Sequence, residues 1–170
     1  MINDKICVIL HIETKSEVLI MKRYSTIFLK IAVILIGIPV LALCIFWLPG
    51  FVGYLPYPIL IGVYATAVLF FLALYQALKL LSYIDKNKAF SQVSVNALKY
   101  IKNYAITISI IYAGTAPFIF PIADADDAPG LLAFPLIFIF ASSVIAVFAA
   151  VLQRLLQDAI DIKSENDLTV

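Results

Sequence analysis

The side chains that could do chemistry in this sequence are few, and most stand apart from one another. Asp124, Asp126 and Asp127 crowd into the stretch DADDAP. Three carboxylates at that spacing are hard oxygen ligands of the kind that hold Ca²⁺. A calcium loop also needs a glycine at its sharp turn and a distal glutamate, and neither is present. The two thiols, Cys7 and Cys44, lie far apart, without the paired spacing of a metal site or a redox CxxC. His11 is the only imidazole. Hydroxyls at Thr66, Ser109, Tyr112, Thr115, Ser142 and Ser143 sit in apolar runs whose interiors contain no His or Lys, since Lys30 and Lys79 lie near the inner ends of theirs. A serine nucleophile needs a base beside it, and ion-coupled carriers and intramembrane enzymes keep ionisable groups at depth despite their cost. No glycine-rich phosphate loop is present. The expectation is a protein that is not an enzyme, with no catalytic, cofactor-binding or metal-ligating residues, and with DADDAP as a plain acidic turn.

The elements that carry these residues are apolar to an unusual degree. Of 170 residues, 64% are hydrophobic and 14% charged, and the mean hydropathy is +1.04. Soluble domains are about 45–50% apolar and about 25% charged. Four unbroken apolar runs stand out, at 27–48, 58–81, 105–123 and 130–152. Each approaches the ~20 residues that a helix needs to cross ~30 Å of hydrocarbon. They do not alternate as barrel strands do. The expected fold is all-α integral membrane: four transmembrane helices in an up-down bundle.

Lysine and arginine placement sets the orientation, because basic residues gather on the cytoplasmic side. The connection from Pro49 to Tyr57 and the one from Asp124 to Pro129 contain neither residue, so all 12 Lys and Arg fall on one side. Both termini, the loop 82–104 and the tail 154–170 are expected in the cytoplasm. The net charge of +1 gives no reason to expect direct nucleic-acid binding. The first twenty residues contain only ICVILHI as an apolar stretch, too short to span and without a cleavage-site pattern. They are expected to be an N-terminal extension upstream of a functional start at Met21, with residues 21–170 as the membrane domain. The alternative is a short segment on the membrane surface.

The stretch YIDKNKAFSQVSVNALKYIK, residues 83–102, is the main polar interruption. Ser91 is placed to cap a helix by accepting a first-turn N–H, and Phe90 and Val95 have the spacing of a hydrophobic staple. Gln92, Asn96, Lys99 and Asn103 share one face, and Val93, Ala97, Tyr100 and Tyr104 share another. This predicts an amphipathic interfacial helix before the third span. Lys86, Lys88, Lys99 and Lys102 against Asp85 give the loop a charge of +3, and they are the candidate contacts for anionic lipid headgroups or a docked cytoplasmic protein. The tail from Arg154 onward sums to −2. Tail and loop either pack on each other, or offer a joint docking surface, or carry separate solvated charges. For helix packing, the small residues Ser142, Ala146 and Ala150, at steps of four, are the candidates, as are Gly62, Thr66, Ala73 and Ala77 in the second span. They form either the bundle interior or the seam of a homo-oligomer, unless they reflect only the general abundance of small residues in membrane helices. Pro39 is expected to kink the first span.

ALYQALKLLSYIDKNKAFSQVSVNALKYIK together with FAAVLQRLLQDAIDIKSENDLTV resembles the bacterial four-span family catalogued as domain of unknown function 2975, Bacillus-type members most of all. The resemblance covers about 21–170, with DKNKAFS and ENDLTV as its specific parts. It implies a multi-pass protein of the bacterial inner membrane with no established activity. Family members are often encoded beside a small helix-turn-helix regulator, which implies a membrane partner or sensor for a DNA-binding protein. The alternative is a small transporter, channel-like or immunity protein acting as an oligomer.

Overall fold

Runs rich in Leu, Ile, Val, Phe and Ala, in a medium without water, leave the backbone no partner but itself, and helices satisfy it within each run. The computed structural model describes residues 24, 26–51, 53, 56–86, 88–125 and 127–168. The expectations for residues 1–20 and for Cys7, His11, Lys22, Arg23 and Asp126 lie outside the described residues. Among those described, the protein is helical and contains no strand. Four helices are long and apolar enough to cross a membrane: α1 (Thr26–Gly50), α2 (Tyr57–Asp85), α3 (Gln92–Ala125) and α4 (Ala133–Leu168).

Helix α1 runs unbroken through Pro39. Its irregularity comes one turn later, where the backbone widens into a π-helical turn at Leu43–Trp47 and then tightens into a 3₁₀ turn at Leu48–Phe51. Helix α2 starts with Pro58 in its first turn, where the missing N–H costs nothing. Helix α3 contains Pro117 and Pro121 and still continues to Ala125. It stops where DADDAP begins its turn. Asp127 takes a left-handed φ of 48°, the Ala128 N–H donates to the Ala123 carbonyl at 2.9 Å, and the Asp127 N–H reaches the Asp124 carbonyl at 3.4 Å. These two bonds form a Schellman motif, so the acidic turn is first of all a helix terminator. A 3₁₀ turn at Pro129–Leu132 then leads into α4.

Packing follows the chain. Helix α3 lies against α2 on one side and α4 on the other. Gly37 of α1 faces Leu74 and Phe71 of α2. Gly62 of α2 is buried on α3, where an added Cβ would stand 2.7 Å from Thr115 Cγ2. Such close approach is how helices associate in lipid, where burying apolar surface gains little. Thr66, one turn on, is also buried; its hydroxyl donates to the Val63 carbonyl at 2.9 Å and lies 3.5 Å from Tyr112 Oη. Between α3 and α4, Ser109 and Ser143 share a hydrogen bond of 3.1 Å, Ser143 donates to the Ile139 carbonyl at 2.7 Å, and Tyr112 stacks on Phe138 at 4.8 Å. The Ser109 and Ser143 hydroxyls are thus both satisfied within the bundle.

Two helices are longer than a bilayer requires. At 1.5 Å per residue, α3 with 34 residues and α4 with 36 are each over ~50 Å long, against ~30 Å of hydrocarbon. Both extend past the apolar span at the same end. No break separates residues 92–104 from the third span. The stretch expected to lie along the interface is thus the first part of one continuous rod.

Candidate functional site

The antiparallel order brings every described Lys and Arg to one end of the molecule, at the start of α1, the end of α2, the start of α3 and the end of α4. Helix α2 closes at Asp85, the only acidic residue between Tyr24 and Ala123. Its carboxylate forms an ion pair with Lys30 of α1, both side chains being half-buried. A lysine four residues into an apolar helix thereby gains a counter-charge at the membrane boundary.

The chain then doubles back. The Lys86 N–H donates to the Ser82 carbonyl at 3.3 Å and the Lys88 N–H to the Tyr83 carbonyl at 2.9 Å. Ser91 caps α3 by position, its carbonyl accepting from the N–H groups of Ser94 and Val95. Its side chain does not take the expected first-turn N–H. It meets the Ser94 hydroxyl at 3.3 Å, and Ser94 in turn donates to the Lys88 carbonyl at 3.4 Å. Ser94 has no exposed surface at all. One small hydroxyl under the returning chain therefore ties the basic turn to the first turn of α3.

The polar face expected of residues 92–104 is present: Gln92, Asn96, Lys99 and Asn103 are exposed. The buried face differs from expectation. Ser94, Val95, Ala97, Leu98 and Ala105 are buried, while Val93 and Tyr100 are exposed and Tyr104 is half-buried. Tyr100 and Tyr104 stack on each other at 6.3 Å. Phe90 is largely exposed although Val95 is buried.

The four candidate lysines do not form a single patch. Lys86, Lys88 and Lys99 are exposed. Lys102 is half-buried and donates to Gln153 Oε1 of α4 at 3.0 Å. That bond joins the loop side of α3 to the start of the tail. Of the packing candidates, Ser142 and Ala146 are buried against the bundle and Ala150 is half-buried, whereas Ala149 takes the next deep position. Steps of four drift by ~40° per step on a helix with 3.6 residues per turn, so the seam corrects itself with a step of three. Asp85, Ser94 and Gln153 were missed from sequence. The isolation of Asp85 among apolar residues was a usable signal for its pairing with Lys30. Among the described residues no three His, Cys, Asp or Glu side chains converge to hold a metal ion.

Residues 51–170 match the family described as Protein of unknown function (DUF2975). The chain belongs to this family. The DUF2975 match takes in α2, the basic turn, α3, the acidic stop and all of α4. A relative, the "Uncharacterized membrane protein YoaS" of Bacillus subtilis (strain 168), is 61% identical over 160 residues, which covers 88% of this chain and all of the relative. No solved structure matches. This DUF2975 member is a membrane protein with four helices of spanning length.

Proposed function

We propose that this DUF2975 protein is a non-enzymatic component of the bacterial cytoplasmic membrane whose basic end faces the cytoplasm and docks a small helix-turn-helix regulator. The observation that supports this reading is the shared extension of α3 and α4 beyond the apolar span, joined by Lys102 and Gln153 and displaying Lys86, Lys88 and Lys99 outward. Bilayer crossing alone needs no such extension. The orientation follows from basic-residue placement, and the same lysines suit anionic headgroups when no protein is bound. The identity of the partner rests on the family resemblance.

The test is affinity purification from native membranes, comparing the wild type with a Lys86→Gln, Lys88→Gln, Lys99→Gln variant. These changes leave Lys30, Lys79, Lys102 and Arg154 to maintain orientation, which cysteine accessibility checks. A small DNA-binding protein recovered with the wild type and lost with the variant supports the reading. Recovery of membrane proteins alone, or equal recovery of the regulator with both forms, overturns it.

A further inference from the structure

Among the described residues, the tail of α4 carries an apolar stripe that the fold leaves largely exposed. Leu152, Leu155, Ala159 and Ile162 follow one another at steps of three, four and three, the a and d spacing of a coiled-coil seam. The same phase continues upward into the span through Phe148 and Ile145. Three of its four residues are exposed, Leu152 at 52%, Leu155 at 59% and Ile162 at 68%, whereas Ala159, like Gln153, Leu156 and Ile160, is half-buried. From Arg154 onward the tail is charged and extends past the apolar run at 130–152, and Ile162, ~43 Å along α4 from Ala133, is beyond the reach of ~30 Å of hydrocarbon. Nor can the stripe lie down on headgroups, because α4 is one unbroken helix from Ala133 to Leu168.

We propose that a second copy of this chain covers it, forming a parallel two-stranded coiled coil between α4 tails. Two copies inserted with the same orientation bring these helices together parallel and in register, related by a two-fold axis along the membrane normal. The flanking charges fit that arrangement. With Leu152 and Ala159 at a and Leu155 and Ile162 at d, Asp158 occupies g and Lys163 the following e. In a parallel pair these positions face each other across the seam, so Asp158 meets Lys163 of the partner subunit, twice by symmetry. Asp158 and Lys163 are exposed. Asn166 stands at the next a position, a residue type that specifies register and oligomer state there. The complementarity is thus to the chain's own copy, and it requires no second protein.

The test uses full-length protein reconstituted in lipid vesicles, without any cytoplasmic partner, in a background with Cys7→Ser and Cys44→Ala. Single cysteines are placed on the seam (Leu155→Cys, Ile162→Cys) and off it (Asp161→Cys, Ser164→Cys), and mild oxidation follows. Seam positions are expected to crosslink severalfold more than the off-seam positions. In the Ile162→Cys background, Asp158→Lys and Lys163→Asp each lower crosslinking severalfold, and the two together restore it. Equal crosslinking at all four positions, no crosslinking at the seam, or failure of the double swap to recover the yield overturns the proposal. Because no regulator is present in the vesicles, these outcomes are independent of the docking reading.

Discussion

The two ends of the molecule are held by different means. At the acidic end, α3 stops within a few residues at a Schellman turn, and α2 meets α3 so closely at Gly62 that a methyl group would collide with Thr115. At the basic end the contacts are made by long or polar side chains: Lys30 to Asp85, Lys102 to Gln153, and Ser94 to the Lys88 carbonyl. The difference follows the solvent. In hydrocarbon, helices associate by dispersion and close approach. At the water boundary, charge can be kept and used, and reach replaces proximity. The compact end needs small residues, and the extended end needs partners for its charges.

Breaking the compact end should have the larger effect. Gly62→Leu drives a branched side chain into stiff, β-branched Thr115 and is expected to destabilise the fold on the order of 3 kcal/mol. The loss would be read as a lowered midpoint of thermal unfolding in detergent, and an unchanged midpoint would show that α2 and α3 do not meet there. At the extended end, Asp85→Lys sets two like charges together where an ion pair stood. Because both side chains are partly solvated, the expected loss is only about 1 kcal/mol. Lys30→Glu combined with Asp85→Lys should recover the midpoint; no recovery would argue against the pairing. The smallest effect is a gain. Asp127→Gly relieves a left-handed residue at the helix stop and should stabilise by about 0.5 kcal/mol, visible as slower exchange of the Ala128 amide.

Four spanning helices are legible in the sequence because each is a continuous apolar run, and in lipid such runs have one common solution. Their true lengths are less legible. Hydropathy ends where charge begins, but the backbone of α3 and α4 continues as helix through Lys99, Lys102 and Arg154, since those residues favour helix as well as water. Periodicity alone points to Val93, Ala97, Tyr100 and Tyr104 as the apolar face of residues 92–104. Its actual buried side, Ser94, Val95, Ala97 and Leu98, depends on how α3 sits against α2 and α4, and that is not a local property. The same holds at the candidate site. The basic character of the turn is written in Lys86, Lys88, Lys99 and Lys102, but the withdrawal of Lys102 toward Gln153 depends on how α3 and α4 rotate against each other.

The unbroken course of α3 has a mechanical consequence. A rod without a joint turns a change of angle into a displacement at its tip. When a bilayer thins, a spanning helix tilts to keep its apolar length covered. A tilt of α3 would carry Lys99 sideways over the membrane surface, and the Lys102–Gln153 bond would couple α4 to the same movement. The position of these charges would then follow the angle of the rod that bears them.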